Sequence, residues 1–347
     1  MPKLTLWAAT AGVAVLSLAL TACTSSGASN GGGAASLRSA LASVRDTAGS
    51  ERFFAWADQK ELRKLAGVSS AADAAKRKAN QKWLRLASVA LPSVADKEPQ
   101  LTDATGIDVY AGDRAITIGL PPDRASRIDG ADGGTVLRKF RQLGARDERV
   151  GTRTYLALAG EGQVDVSNPL LGGDVYLSLN RTSVDHSTVG FGLTNAPIDA
   201  VLGGGGKSLA DVADEAAVAD CLGEVFVAEV TGPVPGGPDG VSLTGVGVRR
   251  PTTAGARVTE VLCEVTHSKD QAGQLAARVT ARLAPDAALA GSGLRVRDRI
   301  AQANVDQVGK AGDSVRLTLD LVSPARAGFL LLDASPGTLA SLGGGAG

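Results

Sequence analysis

The 347-residue chain holds little of what usually carries chemistry. It has two histidines, His186 and His267, and three cysteines, Cys23, Cys221 and Cys263. A structural or catalytic zinc site of the usual kind needs three or four such ligands, and this supply does not assemble one once the cysteines are otherwise engaged. Aromatic residues make up 3% and methionine occurs once, so the core must be built from Val, Leu, Ile and Ala. Charge of one sign is not in excess: 36 basic residues stand against 36 acidic ones. Such a chain lacks the electrostatic footprint of a nucleic-acid partner. No G-x-S-x-G elbow occurs, which leaves a serine hydrolase without positive support. Asp185 and His186 adjoin in "SVDHS", but neighbouring strand residues face opposite sides. Carboxylates are plentiful and unplaced, so hydrolysis by paired acids stays open.

What is there speaks of location. "MPKLTLWAATAGVAVLSLALTAC" pairs a cationic start at Lys3 with an apolar run from Leu6 to Ala22. The run is slightly short for a spanning helix and ends in small residues, the form of a secretory signal. Leu20-Thr21-Ala22-Cys23 resembles the bacterial lipobox. The resemblance implies cleavage before Cys23, diacylglycerol on its sulfur and a further acyl chain, such as palmitate, on the new amine. Each buried methylene contributes about 0.8 kcal/mol, so two chains hold where one does not. The other reading, an uncleaved anchor with an incidental cysteine, lacks a charged stop-transfer flank. "TSSGASNGGGAAS" follows, uncharged and rich in Gly and Ser, a tether of mean span about 20 Å.

Without residues 1–22, 325 residues remain, enough for two modest domains or one large one. Cys221 and Cys263 lie 42 positions apart in an exported chain. A bridge between them is expected on the even count and the oxidising compartment, and is worth about 4 kcal/mol in the chain-entropy model. Two buried thiols are the alternative. Cys263 alternates with Val261 and Val265, which predicts that all three face one buried side.

Along the body, Phe53, Phe54 and Trp56 suit a strand. Asp58 and Glu61 read as a capping pair for a short helix stopped at Gly67. A helix is expected from about Ser70 to Leu91, before Pro92. Lys78, Lys82 and Arg85 share one face of it, facing either anionic lipid or plain solvent, with Trp83, Leu84 and Leu86 packed inward. "RAITIGL", "SRIDG", "GTRTYLALAG", "EVFVAEV", "VSLTGVGVRR", "RVTEVLCEVTH" and "DSVRLTLDLV" read as strands, and "RTSVDHSTVGFGLT" as a hairpin. "DGGTVLRKFRQLGA", "NAPIDAVLG", "SLADVADEAAVADCLG" and "SKDQAGQLAARVTARLA" read as helices, the second capped by Asn195, the third by Ser208 and the last by Ser268 with Gln271. Each half runs strand–strand–helix–strand–strand. The expected class is α+β: two antiparallel-sheet modules backed by helices, residues 37–202 and 203–347, behind a signal peptide (1–22) and a lipidated tether (23–36).

"VLGGGGKSLADVADEA" invites a P-loop reading. The G-x-x-x-x-G-K-[ST] pattern needs glycine where Val201 stands, and "PIDAVL" is no clean buried strand. A loop between helices is expected, with no nucleotide. Asn180-Arg181-Thr182 matches a glycosylation acceptor that is incidental in a bacterial lipoprotein.

"LTDATGIDVYAGDRAITIGLPP", "GTVLRKFRQLGARDERVGTRTYLAL", "SLADVADEAAVADCLG" and "VTEVLCEVTH" are similar to secreted actinobacterial lipoproteins of unknown function. The high glycine and alanine content is associated with such proteins. The resemblance implies no activity, cofactor or ligand. The function expected is therefore a non-enzymatic binding or interaction module, lipid-anchored on the outer face of the cell membrane, meeting an envelope protein or ligand. The alternatives are a solute-binding lipoprotein of a transporter, with two hinged lobes, and a hydrolase using acidic residues.

Overall fold

Twelve strands form one antiparallel sheet, covered by helices on both faces. The computed structural model describes residues 36–68, 81–98, 100–163, 178–233, 240–251, 256–289, 294–323 and 327–333, and these lie in one compact unit. The signal, Cys23 and almost all of the tether fall outside the described residues.

In chain order the strands are β1 (Phe53–Ala57), β2 (Arg114–Ile118), β3 (Ala125–Asp129), β4 (Arg146–Val150), β5 (Arg153–Ala157), β6 (Arg181–Asp185), β7 (Thr188–Gly192), β8 (Val225–Thr231), β9 (Val241–Arg249) and β10 (Thr259–Thr266). A small hairpin, β11 (Ala288–Leu289) with β12 (Leu294–Arg295), stands apart, and β13 (Ile300–Val308) and β14 (Ser314–Leu321) complete the large sheet. The order across it is β13-β14-β10-β9-β8-β1-β2-β3-β7-β6-β5-β4. The strands assigned to the two expected modules therefore lie in one continuous sheet. β1 makes the join, pairing Trp56 with Ile116 of β2 on one side and with Ala228 of β8 on the other.

Strand alternation gives the sheet two apolar faces. One carries Phe54, Trp56, Ile116, Val230, Val261 and Cys263. It is covered by α1 (Leu37–Ala42), by α7 (Asn195–Val201) and by α8 (Ala213–Leu222). α8 lies hard against β9: a Cβ on Gly245 would stand 2.4 Å from Val218 Cγ1. The other face carries Ala55, Ala115, Phe191, Leu262, Leu317 and Leu319. Its cover is α2 (Gln59–Leu65), α3 (Gln81–Leu84), α4 (Ala87–Ala90), α5 (Gln100–Thr105), α6 (Gly133–Gln142), α9 (Lys269–Arg282), α10 (Val296–Arg299) and the 327–333 segment.

Local chemistry sets the helix ends. Asp58 Oδ1 accepts from Glu61 N at 2.9 Å and Gly67 takes a positive φ of 65°, as the capping pair and stop predict. Ser268 Oγ accepts from Gln271 N at 3.3 Å. Three segments differ from expectation. Residues 69–80 are outside the described set, and within 81–90 the helix is two short pieces, because Leu86 N and Ser88 N turn to the carbonyls three residues back. Thr194, not Asn195, is the cap position of α7. "SLADVADEAAVADCLG" is broken at Val212, whose ψ of 127° separates a 3₁₀ turn (Leu209–Asp211) from α8.

Candidate functional site

Cys221, at the end of α8, and Cys263, in mid-β10, are joined in a disulfide with Cα atoms 6.0 Å apart. Both are buried, 3% and 0% exposed, and Val261 and Val265 share the same side of β10. The helix that rests on Gly245 is thereby fastened to the sheet beneath it.

The glycine loop lies beside this helix. All four glycines, Gly203 to Gly206, take positive φ, so the loop is a tight turn built for residues without Cβ. It follows α7 and leads into a 3₁₀ turn, whereas a P-loop follows a strand. The segment before β1 zips onto it: Arg45 N donates to Ala200 O, Asp46 N to Lys207 O and Leu209 N to Val44 O, at 2.9–3.1 Å. Arg45 Nη2 donates to Gly204 O. Lys207 Nζ, the group a P-loop would offer to phosphate, sits 3.2 Å from Asp46 Oδ2.

Acids surround that lysine. The hydrogen bond to Asp46, then burial, raises the Glu51 pKa above the ordinary value. Glu215, on the first turn of α8, is 1% exposed, and its Oε2 has no hydrogen-bond partner among the described residues. Burial first, then the charges of Glu51, Asp214 and Asp46, push its pKa up to about 8. Glu215 therefore keeps its proton at neutral pH, and the Lys207 charge that an anion would need is already paired with Asp46. Among the described residues no group of three or more His, Cys, Asp or Glu is placed to hold a metal ion.

The opposite face of the sheet carries three more glutamates, two of them buried. Glu260 of β10 accepts from Gly328 N, Phe329 N and Leu330 N at 2.6, 2.9 and 2.7 Å. Burial outweighs those bonds and the charge of Arg85, leaving its pKa at about 7. Arg85 Nε donates to Ala327 O at 3.0 Å, so both ends of this latch hold the 327–333 segment. Glu264, two residues on, is 4% exposed, with a pKa raised by burial to about 7 against the opposing charge of Arg278. Glu229 of β8 is half-buried, also at about 7 through burial, in the field of Arg124. Arg124 lies over the Phe53 ring at 6.0 Å and donates from Nη1 to Ser93 Oγ at 3.0 Å.

The other sequence candidates are dispersed. His186 is fully exposed at the β6–β7 turn, 3.9 Å from Asp185, and His267 is exposed beyond β10. Asn180 is wholly buried, bonded to Ala159 N and Gly160 O at 2.9 Å. Lys78 lies outside the described residues, while Arg85 is turned inward to its latch, and Trp83, Leu84 and Leu86 are buried as expected of the packed face. Sequence reasoning missed Glu215, Glu229, Glu260 and Glu264. For the two on β10 the signal was present: they alternate with Val261, Cys263 and Val265, and so had to occupy the other face. Comparison with family models, with curated proteins and with solved structures finds no match to this chain.

Proposed function

We propose that this chain is a lipid-anchored lipoprotein on the outer face of the cell membrane, and that its folded body is a non-enzymatic module that binds an envelope protein or ligand. One observation carries the reading beyond the lipobox: the buried Cys221–Cys263 disulfide, a bond that persists in oxidising compartments and is rare in reducing ones. A single antiparallel sheet supports it over a transporter receptor, which would present two doubly wound lobes about a hinge. The buried glutamates favour it over acid hydrolysis. Glu260 is occupied by three backbone N–H groups, and Glu215 and Glu264 are shut away from solvent. The acids around Lys207 support the absence of nucleotide.

Intact-mass measurement of the protein taken from its own membrane tests the anchor. The expected species begins at Cys23 and carries acyl mass, and Cys23→Ala leaves the chain unprocessed or shed. A mature chain that starts elsewhere without acyl mass overturns the proposal.

A further inference from the structure

An antiparallel sheet that does not close into a barrel ends in two edges, and each edge is a row of free backbone donors and acceptors. Here the edges are β4 and β13. β4 is five residues, "RDERV", four of them charged and all of them exposed. That is the usual protection of an edge against pairing. β13 is nine residues, "IAQANVDQV", with Asp306 its only charge. It is longer than the common strand of about 5–6 residues. Apart from Ile300 N, which donates to Val296 O, its outer side makes no backbone hydrogen bond among the described residues.

From this edge we infer that β13 is a docking edge for a second copy of the same chain, pairing antiparallel with itself about a two-fold axis. Such a contact is isologous, so the strand must complement its own reversal. The register that pairs all nine residues centres on Asn304. It sets Asn304 against its own copy, Ala303 against Val305, and Gln302 against Asp306, with no like charges opposed. Asn304 Nδ2 donates to Asp306 Oδ2 at 2.8 Å and Arg316 Nη2 lies 3.4 Å from the same oxygen. The one charge on the edge is therefore already balanced within the copy, and the amide of the partner's Gln302 adds a further donor. A register centred on Asp306 would face the two carboxylates. The same operation on β4 sets Glu148 against itself, and Glu148 is already engaged by Arg181 at 2.5 Å. Anchoring both copies to one membrane would raise their effective concentration, so a modest strand contact suffices.

The test is the mass of the full chain in detergent by sedimentation velocity over a micromolar series. A dimer is expected. Asn304→Lys places two ammonium groups opposite each other at the axis, on an exposed position that the monomer does not use for packing. It should weaken the dimer by about tenfold or more with the melting temperature unchanged. Directly opposed Cβ atoms stand about 4.5–5.5 Å apart. A chain carrying Asn304→Cys should therefore cross-link to its own copy under mild oxidation, and a chain carrying Gln302→Cys should not. A monomer at every concentration, a dimer untouched by Asn304→Lys, or equal cross-linking at both positions overturns the inference.

Discussion

The two sides of β10 are covered equally well and are held by unlike means. On one side Val261, Cys263 and Val265 meet α8, and a disulfide completes an otherwise apolar contact. On the other, Glu260, Leu262 and Glu264 meet the 327–333 segment and α9, so two of three inward positions are carboxyls. A sheet with one wet face sends its polar residues outward, and alternation then reports the core. A sheet covered on both faces has no outward side. Its alternation still reports two faces, but no longer says which one is dry.

The disulfide side should give the largest effect. Replacing Cys221 and Cys263 together by Ala is expected to lower stability by about 4 kcal/mol, within a range of about 2–5, without changing the fold. Denaturant titration measures it, and thiol labelling of the unfolded, unreduced parent should find neither sulfur free. Two free thiols there would remove the contrast between the sides.

Glu260→Ala comes next. It strips the acceptor from three covered N–H groups, each worth about 1–3 kcal/mol when left unpaired, with partial relief as the segment lifts away. A net loss of about 3 kcal/mol is expected, together with faster hydrogen exchange at residues 328–330. The cysteine replacement should leave exchange at those amides unchanged. If it accelerates them equally, the two sides act as one unit and the comparison fails.

These cases show what the sequence discloses. Caps at Asp58 and Ser268, the strand at "VTEVLCEVTH" and the disulfide pair were legible, because caps are local and cysteine pairing follows from count and compartment. Both edge strands, β4 and β13, went unread: an edge buries little, so its residues are polar and lose the apolar alternation that marks a strand. The acid cluster beside the glycine loop was illegible for another reason. Asp46, Glu51, Lys207 and Glu215 come from three separated stretches, and only the pairing of residues 44–46 with 207–209 brings them together.

The smallest effect, and the finest test of the contrast, lies at Glu264. Unlike that of Glu260, its carboxyl has no hydrogen bond or ion pair among the described residues, and its pKa stands at about 7 against an ordinary 4.5. Between those values the folded chain keeps a proton that the unfolded chain has released. The folded state then binds more protons, so stability falls as pH rises from about 4.5 to about 7 and is flat above. Glu215, raised to about 8 by burial first and then by the charges of Glu51, Asp214 and Asp46, extends the decline upward. Glu264→Gln removes the ionisation and keeps the shape. It should be nearly neutral at pH 5 and stabilising by about 2 kcal/mol at pH 8, since each pKa unit is worth about 1.4 kcal/mol and some relaxation around the charge is expected. Glu260→Gln should show no such gain, because an amide cannot serve three donors as the carboxylate does. Chemical denaturation at both pH values decides it: a Glu264→Gln chain whose stability depends on pH as steeply as the parent's would place the origin of the slope elsewhere.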